Sequence, residues 1–194
     1  MDFVDRPLND RWWLEDEFAK IRELSSEPEK VARLEIIRTW EDPGPGSFYD
    51  DIGHVGKSPR VMRGEDTNTD PEGRRHENPG HSWEDEGRSR WRLAWLHHMR
   101  WPEGVSYDGL DPNARYTVRL TGKGASPLRG DGVRLPVTKR ATGVGEFQEF
   151  TVPAALTTDG VLRLTWDPVD EAHLNWRLHS YVTEVWLLKV SAPR

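Results

Sequence analysis

The sequence predicts a mainly β protein, a β-sandwich led in by a short helical segment. Three observations carry this. Helical spacing of apolar residues is confined to the first forty or so positions. Beyond residue 90 the chain breaks into short runs in which apolar and polar residues alternate. Gly, Pro, Asn and Asp punctuate those runs, as expected where strands are joined by tight turns.

The lead-in is read first. Leu14, Phe18 and Ile21 recur at i, i+4 and i+7, with Leu24 near the same face. Asn9 or Asp10 can cap the start, and Glu15, Asp16 and Glu17 suit the positive end of the helix dipole. Ser26, with Pro28 just inside and Glu29 three residues on, marks a second start. Val31, Leu34 and Ile37 continue at helical spacing, yet Leu34–Trp40 also reads as a strand. The sequence therefore predicts a helical lead-in over 1–33 and a sandwich domain over 34–194.

The stretch Trp40-Glu41-Asp42-Pro43-Gly44-Pro45-Gly46 is incompatible with a helix or a central strand. From Ser47 to Arg90 the residues are mostly those of loops, and a loop that long points to function or mobility. Strands follow. Trp91, Leu93 and Trp95 alternate with polar or small residues, and Tyr116, Val118 and Leu120 follow the turn at Gly109–Asn113. Val133, Leu135 and Val137 alternate after Gly130-Asp131-Gly132. Phe150 and Val152 end at Pro153, and Leu162, Leu164 and Trp166 follow Asp159-Gly160. Tyr181–Val190 is apolar on both faces, as a central strand would be. The regular scaffold is thus expected to run from near Trp91 to Val190.

Composition narrows function. With 33 acidic and 27 basic residues the net charge is −6, and no basic run stands out. This disfavours nucleic acid and anionic membranes as partners. No cysteine is present, which removes disulfides, thiolate metal sites and a cysteine nucleophile. No stretch has the apolar length of a transmembrane helix. Met1–Arg11 lacks the apolar region of a signal peptide, so the expected setting is the cytoplasm, or the tail of a longer exported protein. The ten tryptophans, four tyrosines and five phenylalanines are a heavy aromatic load for so polar a chain. Most should pack in the core, and a few can serve as flat platforms for sugar rings.

Two strings carry resemblances. Gly109-Leu110-Asp111-Pro112 with Tyr116-Thr117-Val118-Arg119-Leu120, then Gly160–Trp166, then Val182–Leu188, resembles the second half of galactose-binding-like (jelly-roll) β-sandwiches, an architecture shared by many carbohydrate-binding modules. Pro7-Leu8-Asn9-Asp10, the string Asp42-Pro43-Gly44-Pro45-Gly46-Ser47-Phe48-Tyr49-Asp50-Asp51-Ile52-Gly53, and Glu184-Val185-Trp186-Leu187 resemble C-terminal regions of large bacterial proteins from polysaccharide-degrading lineages. The resemblance implies a polysaccharide or oligosaccharide partner and an upstream domain. It transfers no catalytic residue.

Three constellations are candidates for chemistry. Glu41, Asp42, Asp50 and Asp51 cluster around the Pro-Gly turns and can hold a structural Ca²⁺ through carboxylate oxygens. The alternative is a solvated acidic turn whose Asp side chains bond their own backbone. The seven histidines show no zinc spacing. Adjacent His97 and His98 would point to opposite faces of a strand. His54 and His81, with Tyr49 or Asp51, have the residue types for acid–base work. Trp83, Trp101 and Asn175-Trp176-Arg177 combine flat rings with hydroxyl-binding partners at loop positions. There is no Gly-x-Ser-x-Gly elbow and no phosphate-cradling loop before a helix. The expected function is a noncatalytic carbohydrate-binding or accessory domain. A polysaccharide lyase or metal-assisted hydrolase, with its site at 47–90, is the first alternative. A packing domain of a larger parent is the second, and it expects an exposed apolar patch on the Trp12–Leu24 helix.

Overall fold

The computed structural model describes residues 14–15, 17–51, 58–62, 94–96, 104–123, 127–140, 147–166 and 180–190. Helix α1 covers 17–23, with helical residues at 14–15 before it, and α2 runs Glu27–Arg38. Among the described residues eleven strands follow: β1 Phe48–Asp51, β2 Val61–Met62, β3 Ala94–Leu96, β4 Gly104–Tyr107, β5 Arg115–Lys123, β6 Leu128–Gly130, β7 Val133–Arg134, β8 Val137–Lys139, β9 Gln148–Val152, β10 Leu162–Trp166 and β11 Ser180–Val190. A 3-10 turn, Ala154–Thr157, joins β9 to β10.

The strands form two antiparallel sheets in a β-sandwich-like arrangement. The first has the order β1-β11-β5-β9-β8, with β3 also on β11; the second is β2-β4-β10-β6-β7. Alternation decides which side chains fill the space between them. Val118 and Leu120 of β5, Phe150 and Val152 of β9, and Val185 and Leu187 of β11 supply one wall of a single buried cluster. Val105 and Tyr107 of β4, Leu128 of β6, and Leu162 and Leu164 of β10 supply the other. Gly104 allows β4 to lie against β10, because a Cβ there would come within 2.1 Å of the Leu164 carbonyl oxygen.

β11 organises the first sheet. Nine of its eleven residues pair with β5 along one edge, while β3 (at 180–182) and β1 (at 184–187) share the other. The central position expected for this segment is therefore correct. Its register slips between Val182 and Glu184. In an unbroken strand these two residues would share a face; here Val182 joins the core and Glu184 points away from it. The bulge is what turns Glu184 outward.

Several expectations need correction. Helix α2 does not end at Arg33 but continues to Arg38, so the proposed boundary at residue 34 falls inside it. Glu35 grips Arg38 (Oε2 to Nε, 2.8 Å), and Thr39 donates its backbone N–H to the Glu35 carbonyl, closing the last turn. Ser26 sits at the expected N-cap, but its side chain makes no capping hydrogen bond. The stretch 47–90 is not loop throughout, since β1 and β2 lie within it, and the scaffold begins at Phe48 and not near Trp91. Gly46, at φ +73°, turns the chain into β1. Ser47 Oγ then accepts the Lys189 backbone N–H (2.9 Å), tying the start of β1 to the end of β11. Val133, Leu135 and Val137 do not share one strand. The chain leaves the second sheet after Arg134, buries Leu135, and enters the first sheet past Pro136, whose missing N–H interrupts pairing.

The lead-in is tied down by charge. Glu17 of α1 is buried, and accepts hydrogen bonds from Arg33 Nε (2.6 Å) of α2 and Lys20 Nζ (3.0 Å). Ile21 is buried beside it, whereas Phe18 is exposed.

On the inner face of β1, Asp50 is fully buried and Arg60 reaches it from just before β2 (3.3 Å). The Arg60 guanidinium also lies 4.7 Å from the Phe48 ring centre and 6.0 Å from that of Tyr107. It thereby joins the edge of one sheet to the edge of the other. Tyr107 is completely buried and its hydroxyl makes no hydrogen bond of normal geometry, although it lies near enough to Asp50 to feel its charge. Burial pushes the Asp50 carboxyl up to about 6, against the opposing pull of Arg60 and the Tyr107 hydroxyl. An acid raised in the folded state binds its proton more tightly there than when unfolded. Its stabilising contribution is full below about pH 4 and is lost as pH rises through about 6. Urea unfolding across this window should therefore show Asp50→Asn flattening the pH profile by on the order of 2–3 kcal/mol; a pH profile that this substitution leaves unchanged would refute the assignment.

Candidate functional site

The outer face of the first sheet, turned away from the core, carries the second polar concentration. Cross-strand register builds it. Tyr49 of β1 lies opposite Trp186 of β11, Trp186 opposite Arg119 of β5, and Arg119 opposite Glu149 of β9. One step along, Asp51 lies opposite Glu184, and Glu184 opposite Thr121. The strings Phe48-Tyr49-Asp50-Asp51 and Glu184-Val185-Trp186-Leu187, far apart in the chain, are thus a single antiparallel pair. Their alternate residues form the site.

Trp186 is the hub. It is nearly buried, with ring centres of Tyr49 at 5.2 Å, Trp40 at 5.5 Å and Phe147 at 5.6 Å. Trp40 and Phe147 stand nearly edge-on to it, the arrangement that the ring quadrupoles favour. Its indole N–H donates to the Trp40 carbonyl (2.7 Å), pinning the α2–β1 connection to the sheet. Tyr49, Trp40 and Phe147 themselves are only partly buried.

Beneath the rings lies Glu184, 1% exposed. Its Oε1 accepts from the Tyr49 hydroxyl (2.6 Å) and the Trp40 indole N–H (2.9 Å), and Oε2 accepts from the Thr121 hydroxyl (3.3 Å). Three donors from three parts of the chain satisfy an acceptor that is too buried to find them in water. Asp51, also fully buried, faces it across the strand pair. On the other flank Arg119 stacks over Phe147 (4.7 Å) and bonds Glu149 (Nε to Oε1, 2.8 Å).

The predicted site residues fare unevenly. Tyr49 is in the site, and so is Asp51. Asp50, its neighbour, is on the opposite face with Arg60, because successive strand residues point opposite ways. Asp42 and Glu41 are exposed, and Asp42 Oδ1 accepts the Gly44 backbone N–H (3.2 Å), the local turn bond weighed above as the alternative to a metal. The four acids are therefore not gathered at one point. Among the described residues no three His, Asp or Glu side chains form a group of metal-binding size. His54, His81, Trp83, Trp101, Asn175, Trp176 and Arg177 lie outside the described residues. Sequence reasoning missed Trp40, Thr121, Phe147, Glu184 and Trp186 as site residues. The usable signal was the matching spacing of Tyr49-x-Asp51 and Glu184-x-Trp186, each an aromatic and an acid on one face of a strand.

Comparison with protein-family models, with curated proteins and with solved structures gives no match to this chain.

Because Glu184 is the shared acceptor, truncating it strands the Trp40, Tyr49 and Thr121 donors away from water. Glu184→Ala should cost about 3 kcal/mol in urea unfolding, and Glu184→Gln, which keeps one acceptor oxygen, markedly less. Equal losses for the two variants would show that packing volume, not the hydrogen bonds, is what matters here.

Proposed function

We propose that this chain is a noncatalytic carbohydrate-binding or accessory β-sandwich domain of a polysaccharide-processing system, and that it binds glycan on the outer face of the first sheet. The observation that carries this reading is the set of three partly buried aromatic residues, Trp40, Tyr49 and Phe147, packed around Trp186, with Trp40 and Tyr49 bonded to one buried carboxylate. A sugar's C–H face packs on such rings, while carboxylate, hydroxyl and guanidinium groups at their edges bond its hydroxyls. We further propose a jelly-roll of the galactose-binding-like kind. The strand order supports it, since the described chain changes sheet at each step from β1 to β6 and again at β8, β10 and β11. Tyr49 and Trp186 of the site stand on strands, which are more rigid supports than loops and suit recognition without chemistry.

Affinity electrophoresis against a broad polysaccharide panel should retard the protein. Tyr49→Ala and Trp40→Ala should each weaken binding by about tenfold, a stacked ring contributing on the order of 1.5 kcal/mol beyond its buried area. If no polymer retards the protein, this reading fails.

A second reading, a packing domain of a larger parent, is favoured by the exposed apolar residues of the helices: Phe18 of α1, and Val31, Leu34 and Ile36 of α2. It predicts concentration-dependent self-association of the isolated chain in sedimentation velocity, abolished by Val31→Lys. A strictly monomeric wild type would count against it.

A further inference from the structure

We infer that α2 is a dimerisation helix, its exposed apolar stripe covered by the α2 of a second copy of this chain packed antiparallel about a two-fold axis. The inference is independent of the glycan-binding reading. It differs from the packing-domain reading in its occupant, which is an identical chain and not another part of a parent.

No residue of α2 is buried, although Val31, Leu34 and Ile36 are large and apolar. A twelve-residue helix is marginal in water without tertiary packing, so its apolar side calls for a cover. Steps of four, three and four residues place Glu27, Val31, Leu34 and Arg38 on one stripe. All four are exposed: Val31 by 62%, Leu34 by 44%, and the side chains of Glu27 and Arg38 by 79% and 68%. Glu29, Arg33 and Ile36 lie round the helix from this stripe, and Arg33 is engaged by Glu17 of α1.

The order acid, apolar, apolar, base is its own complement when reversed. Turned end for end about a point between Val31 and Leu34, a second α2 sets its Leu34 against Val31 and its Arg38 against Glu27. The same contacts repeat on the other side of the axis, giving one closed, isologous interface. Opposed helix dipoles favour this arrangement too. Glu27 and Arg38 already have partners within the helix, Lys30 (2.7 Å) and Glu35 (2.8 Å), and Asp42 is near enough for its charge to act on Arg38. Glu35 takes the Nε and Nη2 of Arg38, so the guanidinium keeps further N–H groups for a second carboxylate. Lys30 and Glu35 border the stripe on opposite sides, and the two acids and two bases of this face cancel. Two copies therefore meet across a neutral surface, despite a net charge of −6 on each chain.

A pair of helices this short makes a contact smaller than the roughly 1,200 Å² of stable interfaces, so the dimer should be weak. Sedimentation velocity of the full chain from about 10 μM to about 1 mM should show a monomer–dimer equilibrium with no larger species. Leu34→Lys, at a position exposed in the monomer, should abolish it. Glu27→Arg and Arg38→Glu should each weaken it about tenfold, because each turns both Glu27–Arg38 contacts into like-charge contacts. An equimolar mixture of these two variants should recover the dimer, since each then complements the other. A chain that stays monomeric to about 1 mM, or one that forms open-ended larger species, overturns the inference. So does a dimer that Leu34→Lys or both charge reversals leave unchanged, which places the contact elsewhere and leaves the packing-domain reading standing. A mixture that dimerises no better than either variant alone overturns the antiparallel pairing.

Discussion

Glu184 projects from the central strand of a sheet, on the side away from the core, and is nonetheless almost completely shielded from water. An ionised carboxylate in that position costs several kcal/mol unless hydrogen bonds replace its hydration. The replacements come from places that share nothing else: Tyr49 on β1, Thr121 on β5, and Trp40 in the turn after α2. Satisfying this one group fixes the edge strand, the neighbouring strand and the chain leaving the helices with respect to one another. The bulge in β11 is part of the same requirement, because without it the alternation that sends Val182 into the core would send Glu184 there too.

β1 links this outer arrangement to the inner one. In four residues it alternates Phe48 and Asp50 inward with Tyr49 and Asp51 outward. Inside, Asp50 meets Arg60 and holds the edges of the two sheets together; outside, Tyr49 meets Glu184. Each face of so short a strand carries one aromatic and one acid, and each acid is buried. The strand therefore derives little from ladder length and much from its side chains, with the Gly46 turn and the Ser47–Lys189 bond holding its start.

The parts of the fold legible in the sequence are those where burial on one face writes a period of two. β5, β9 and β10 are flanked by turns and alternate cleanly, and β11 carries apolar residues on both faces because Val185 and Leu187 join the core on one side while Trp186 is covered by Trp40, Tyr49 and Phe147 on the other. β1, β2, β4 and β6 are two to four residues long, too short for any period, and two of them sit among loop residues. Ile36 and Ile37 read as strand because β-branched residues favour sheets, but a helix already propagating from Glu27 holds them until it ends at Arg38 and Thr39 caps it. The site was half legible for a similar reason. Four acids near the turns drew attention as one cluster, though Asp50 and Asp51 had to part by simple alternation. Glu184 belongs to an apolar-looking strand, and its importance depends on pairing with β1, which no local pattern announces.

A buried carboxylate is an inefficient way to cover a sheet face. Well-packed apolar residues of similar volume commonly stabilise as much or more, and Trp186, Trp40, Tyr49 and Phe147 already supply the apolar surface. What the carboxylate adds is direction. Dispersion between rings tolerates many tilts, whereas an acceptor bonded at 2.6 Å to a phenol and at 2.9 Å to an indole tolerates few. Trp40 and Tyr49 are thus held in one orientation against Trp186. On the glycan-binding reading proposed above, the direction that Glu184 imposes on Trp40 and Tyr49 would serve to present these side chains to a ligand.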